Sequence, residues 1–216
     1  MYRKVYRNRK GPKKMKRMNR RMIKKVGRTI TSKLNQNSGV HFFKRTFAGS
    51  NLTGLGAPVL AVSNFKLSDL PNISEYQNLF TLYRIRGVKI DFYLLSDPSA
   101  QVAANSITPK LYWKKDYVST IAPTSLPALK ECSTTKCASF RTNRPISIYI
   151  KPATMEYDIT STGVVSSYGA PQWGKQYNVL DSEIRHLGLQ WAIDFLPTTQ
   201  TIGTDLTYYL ELRQPK

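Results

Sequence analysis

The chain has 216 residues and carries 33 Lys and Arg against 13 Asp and Glu, a net charge of +20. Its apolar fraction is ordinary for a globular protein, and no apolar run approaches the roughly 20 residues of a membrane-spanning helix. The basic N-terminus is not followed by the apolar stretch of a secretory signal, so a chain made and kept in the cytosol or nucleus is expected, with one large domain plus a tail.

The charge is concentrated at the start. Residues 1–33 hold Arg3, Lys4, Arg7, Arg9, Lys10, Lys13, Lys14, Lys16, Arg17, Arg20, Arg21, Lys24, Lys25, Arg28 and Lys33, and the first acid in the chain is Asp69. This arm therefore carries +15, and the remaining 18 basic and 13 acidic groups leave +5 for the rest. So dense a positive potential attracts polyanions at long range, and counterion release supplies the binding free energy. Contacts of this kind go to phosphates and read no sequence. Residues 1–14 contain Gly11-Pro12 and no apolar period, and are expected to be disordered when free. Met15, Met18, Met22, Val26, Ile30 and Leu34 recur at three- and four-residue steps, which predicts a basic amphipathic helix over 15–34. Such a helix also fits a membrane surface, but its apolar face carries Met where an interfacial helix carries Trp, Phe or Leu. The pairs Lys13-Lys14, Lys16-Arg17, Arg20-Arg21 and Lys24-Lys25 match a nuclear localisation pattern, as any very basic segment does.

After the polar break Asn35–Gly39 the pattern turns to β. Strands are expected over Val40–Phe47, Pro58–Leu67, Leu82–Leu95, Lys110–Tyr117, Ala138–Arg141, Ile146–Ile150, Arg185–Leu196 and Leu206–Leu212. Ser74 followed by Gln77 has the spacing of a capping box and predicts a short helix through Phe80. Ser96–Thr108, Ile121–Cys137 (with one helical turn near Leu126–Glu131) and Met155–Val179 are expected as long loops, which in compact domains are usually functional. Eight antiparallel strands in about 175 residues suit an all-β two-sheet sandwich, the eight-stranded antiparallel jelly roll, preceded by a basic and partly helical arm. The expected division is an arm over 1–37 and a β domain over 38–216.

Chemistry beyond polyanion binding finds few carriers. His41 and His186 each stand at a strand start among apolar and basic residues, where a structural role is expected. The carboxylate pairs Glu156/Asp158 and Asp181/Glu183 lie in or beside expected loops without a nucleophile or base. Cys132 and Cys137, with no nearby His, make a poor zinc site; a local bridge is conceivable, but two free thiols are the expectation. No enzyme, metal or cofactor is expected. Phe42, Phe47, Phe92 and Phe195 are assigned to core or interface packing, and Trp173, which could also stack on a base, to a subunit contact. Trp113, beside Lys114 and Lys115, is the candidate for stacking on a base, because ring-on-base stacking tolerates any sequence.

Several segments, taken together, carry a resemblance. They are Leu70-Pro71-Asn72-Ile73-Ser74-Glu75-Tyr76, Leu82–Phe92, Thr142-Asn143-Arg144-Pro145, Tyr149-Ile150-Lys151-Pro152, Leu187-Gly188-Leu189-Gln190 and Tyr208–Leu212. In this order, behind a basic arm, they resemble the capsid proteins of circovirus-like viruses with a circular, single-stranded DNA genome. The resemblance implies a jelly-roll subunit, a homo-oligomer of sixty copies in an icosahedral shell, an inward arm on the packaged DNA genome, and host nuclear import receptors as partners of the arm; the host attachment factor stays unspecified. Sixty such arms would offset a genome on the order of a thousand nucleotides, at about one phosphate per charge. The alternative is a non-viral nucleic-acid-binding protein of ribosomal or chromatin type with a basic tail.

Overall fold

The computed structural model describes residues 39–95, 108–141, 144–159 and 165–215. The arm and its expected helix lie outside the described residues, as do positions 96–107 of the expected Ser96–Thr108 loop. In chain order the strands are β1 (Val40–Ala48), β2 (Leu52–Thr53), β3 (Ala57–Phe65), β4 (Phe80–Leu94), β5 (Lys110–Lys115), β6 (Lys136–Ser139), β7 (Ile146–Ile150), β8 (Thr154–Ile159), β9 (Val165–Gln172), β10 (Tyr177–Asn178), β11 (His186–Leu196) and β12 (Thr201–Pro215). Two short helices, α1 (Ile73–Leu79) and α2 (Leu126–Lys130), and a 3-10 turn at Leu67–Asp69 complete the described elements.

The strands form two packed sheets. In the first, β1, β12 and β4 lie side by side; along the far edge of β4, β7 pairs with Val88–Phe92 and β10 with Leu82–Tyr83. The second has the order β3-β11-β5-β6. The eight expected strands are β1, β3, β4, β5, β6, β7, β11 and β12, and they make the expected antiparallel sandwich. Period-two alternation sets the faces. On β4, Tyr83, Ile85, Val88, Ile90 and Phe92 are buried against Leu111 of β5 and Leu189, Trp191 and Ile193 of β11. Phe92 meets Trp191 in a T-shaped contact at 5.3 Å, and the Trp191 indole N–H donates to Ser63 Oγ at 2.9 Å. Burial of Tyr208 pushes its phenol pKa up, so the hydroxyl stays a donor, to Asp69 Oδ2 at 3.0 Å. That carboxylate also accepts the Lys66 backbone N–H at 2.8 Å, tying the 3-10 turn to β12.

The outer face of the second sheet is covered by the chain itself. Ser125 caps α2 by accepting the Ala128 N–H at 3.2 Å, the expected behaviour of a serine there. Leu129 of α2 is buried, Lys130 sits over the Tyr112 ring at 4.5 Å, and Gln190 Nε2 donates to the Ile121 carbonyl at 2.9 Å.

Four expectations are corrected. Helix α1 begins at Ile73, not beyond Ser74: its N-cap is Asn72 in the left-handed conformation, a region that Asn tolerates better than most residues, so the Ser74/Gln77 spacing is not a capping box. Met155–Val179 is not a loop; β8 and β9 form a hairpin with Thr154 opposite Gln172, and β10 follows, so Glu156 and Asp158 stand on a strand. The last strand starts five residues earlier than expected, because Gly203 marks a close approach and no break: a Cβ there would meet the Tyr93 ring of β4 at 2.7 Å. The Ile121–Cys137 connection ends at Lys136, where β6 pairs with β5 and sets Cys137 opposite Tyr112. Cys132 and Cys137 are both free.

Candidate nucleic-acid interface

The outer face of the first sheet follows from the same alternation that builds the core. With Ile85, Val88, Leu210 and Leu212 inward, β4 turns Arg84, Arg86 and Lys89 outward and β12 turns Tyr209, Glu211 and Arg213 outward. Beside them stand Phe42 and Lys44 of β1 and Tyr149 of β7, with Lys151 just past the strand end. Lys44, Arg84, Arg86, Lys89, Lys151 and Arg213 face three carboxylates, Asp91, Asp205 and Glu211. Asp91 and Asp205 sit opposite each other toward the C-terminal end of β4, and Asp91 is paired with Lys89 at 2.7 Å. Among the described residues of these strands, the other end therefore holds five cations with Glu211 as their one carboxylate.

Glu211 is the anchor of that end. Its side chain is 3% exposed and pairs with Arg84, with Arg213 at 2.8 Å and, more distantly, with Arg86 at 3.8 Å. Burial by itself would raise its pKa, but hydrogen bonds from Arg84 and Arg213 outweigh it and hold the carboxyl below its usual value. One carboxylate thus fixes three guanidinium groups and neutralises one of them. Arg86 lies over the Phe42 ring at 5.0 Å, a cation–π contact that orients it while leaving it half exposed. Phe42 is 52% exposed, so of its two expected roles, core or interface, the core is set aside; within the subunit it is the platform for Arg86. Lys151 has no carboxylate partner among the described residues.

Two cavities open on this face and share Arg86 and Lys151. One, of about 490 Å3, is lined by Arg84, Arg86, Tyr117, Lys151, Trp173 and Gly174. The other, of about 400 Å3, is lined by Phe42, Lys44, Arg86, Tyr149, Lys151 and Tyr209. Arg84 donates to the Gly174 carbonyl at 3.1 Å, which ties the segment bearing Trp173 to β4. The Tyr149 ring lies across Gly87, where a Cβ would run into its hydroxyl oxygen; only glycine lets the ring lie this low on the sheet.

Of the seventeen candidate binding residues, the fourteen in the arm, Arg3 to Arg28, lie outside the described residues. The other three do not converge. Trp113 packs against the core, in register with Trp191. Lys114 points to the opposite face and pairs with Asp116 at 3.4 Å. Lys115 is exposed at the end of β5. Sequence reasoning did not assign the outer-face set Arg84, Arg86, Lys151 and Arg213 to binding. The alternation of basic and apolar residues in Leu82–Leu95 carried part of the signal, but the register that brings Arg213 and Lys151 beside it did not show.

A two-sheet antiparallel sandwich of this strand order is a jelly roll, and solved structures of viral capsid proteins share that fold. The 60-mer BFDV capsid protein superposes with a TM-score of 0.53 at 18% identity, covering 81% of this chain and 93% of that one. The structure of Melon necrotic spot virus gives 0.50 at 9% identity, over 81% of this chain and 50% of that one. No curated protein matches the sequence. The circovirus capsid protein family matches over residues 3–216, and the chain belongs to that family. It is a viral capsid protein, a component of the virion, and the ribosomal or chromatin-type alternative is set aside.

Proposed function

We propose that this capsid protein self-assembles into a sixty-subunit icosahedral shell and packages a circular single-stranded DNA genome through its basic arm. Residues 1–37 form the genome-binding arm, which also carries the signal read by host nuclear import receptors and so directs assembly to the nucleus. Residues 38–216 form the shell, with the open face of the first sheet toward the DNA. The reading rests on one observation: fifteen cations without a single acid precede β1 in the chain, and β1 is an edge strand of the sheet whose outer face is cationic and crossed by no other segment among the described residues. The 60-mer state of the BFDV capsid protein supports the copy number. Neutralisation of phosphates by the arm then supplies affinity without sequence choice.

The test removes residues 1–37 and measures nuclease-protected DNA per particle. Particles without protected DNA are expected. Protected DNA at the full-length level shows that the arm is not the packaging element, and a full-length protein that stays a small species at high concentration rules out the shell.

A further inference from the structure

The two cavities on the first sheet have a common plan that charge neutralisation alone does not require. Each joins the shared pair Arg86 and Lys151 to an exposed ring, Trp173 in one and Tyr149 in the other. Trp173 is 55% exposed, an unusual state for the largest apolar side chain. It meets Tyr117 at 5.3 Å with the rings 79° apart, so Tyr117 occupies at most one face of the indole. Tyr149, also about half exposed, is braced edge-on by Tyr209 at 5.9 Å. Arg86 is oriented by Phe42 and held only distantly by Glu211, at 3.8 Å, and is half exposed, while Lys151 has no acidic partner among the described residues, so both cations can be reached by an anion between the rings. The volumes lie within the roughly 300–1,000 Å3 typical of small-molecule sites.

We infer that these cavities form a track for two successive nucleotides of single-stranded DNA, with one base on Trp173, the next on Tyr149, and the phosphate joining them held by Arg86 and Lys151. A cation pair alone accepts any polyanion. Flanking rings select one that presents flat π faces on either side of its phosphate. Duplex DNA keeps its bases stacked inside and cannot use the rings. Arg84, held by Glu211 and by the Gly174 carbonyl, is a positioning residue that sets Trp173 against the sheet. Stacking and phosphate contact read no base identity, so the track holds any sequence. The inference rests on the packaging reading and adds to it an ordered contact on the folded domain, separate from the arm.

The test titrates full-length protein with labelled oligo(dT) and with a duplex of equal length at several salt concentrations. Trp173→Ala is expected to weaken single-strand binding roughly tenfold and to leave duplex binding unchanged, since the arm serves both. Lys151→Gln and Arg86→Gln each flatten the salt dependence of single-strand binding by about 0.7 in log–log slope. Circular dichroism and thermal midpoints report whether each variant is folded, and the exposed Lys151 provides a variant that does not disturb packing. Wild-type binding with an unchanged single-strand to duplex ratio in Trp173→Ala, and an unchanged slope in Lys151→Gln, overturns the track and leaves the packaging reading standing. Absence of any single-strand binding by the wild type overturns the packaging reading itself. Equal shielding of Trp173 from oxidation in empty and DNA-filled particles assigns the cavity to a second copy of the chain and also overturns the track.

Discussion

On the second sheet, Tyr112, Lys114 and Gln190 are all occupied by the chain's own connection: Lys130 lies over the ring, Asp116 and Cys132 take the ammonium, and the Ile121 carbonyl takes the amide. On the first sheet, Lys44, Arg86, Tyr149 and Lys151 line open cavities with no described segment across them. The two faces are built from equally ordinary strands, and they differ in where the chain goes next. After β5 it returns as α2 and buries Leu129; after β7 it leaves the sheet edge. Under the proposed packaging reading, a capsid subunit has one surface finished by itself and another finished by the genome it encloses, and the cationic face that no described segment crosses is assigned to the second kind.

The largest effect is expected on the covered face. Leu129→Ala removes the apolar contact that seats α2 and should cost about 3 kcal/mol, as a buried leucine does; a denaturant midpoint unchanged from wild type would show that the cover contributes nothing. Next comes the anchor of the open face. Glu211→Gln leaves three arginines around a neutral amide and should cost about 2 kcal/mol by loss of charged hydrogen bonds. If the variant is as stable as wild type, the arginines do not need their carboxylate to hold that face.

Acid sharpens the same distinction. Glu211 titrates below its usual value in the fold, so it contributes stability above the ordinary carboxylate pKa that is lost as pH falls through the folded one. His186 belongs to the core: burial lowers its pKa from 6.5 to about 4, and its neutral ring donates from Nδ1 to the Ile184 carbonyl at 3.0 Å. Protonation therefore favours the unfolded chain, and stability is expected to fall as pH drops from about 6.5 to about 4. Thermal midpoints across pH 3–7 should show His186→Gln flattening the upper part and Glu211→Gln the lower part; the same curve for all three proteins would refute the assignment. The smallest effect is the most telling for the open face. Lys44→Ala and Lys151→Ala should each change stability by less than about 0.5 kcal/mol, and a larger loss in either would mean that the face serves the fold.

The sandwich was legible because its core strands obey one simple rule. Tyr83, Ile85, Val88, Ile90 and Phe92, or Leu189, Trp191 and Ile193, announce a half-buried strand wherever they are paired. The β8–β9 hairpin was hidden because its register shifts between Met155 and Tyr157 and again between Asp158 and Ile159, which interrupts the alternation. The start of β12 was hidden by Gly203 and Asp205, which read as a turn until Tyr93 is known to cover the glycine. The arm's charge was plain from composition. The open face was not, because Arg84, Lys151 and Arg213 lie far apart in sequence and become neighbours only through the pairing of Arg84 with Glu211 and of Val88 with Ile150. Phe42 was left between core and interface for a related reason: an aromatic residue in a strand fits either until its face is known.

The proposal places the open face of the first sheet on the genome side of the subunit. Lysine acetylation of intact DNA-filled particles, read by mass spectrometry against dissociated subunits, tests it directly. Lys44, Lys89 and Lys151 are expected to be protected in the particle and to become reactive on dissociation, while the exposed Lys130 of α2 reacts equally in both. Reaction of Lys44, Lys89 and Lys151 in intact particles at the rate seen in free subunits would contradict it.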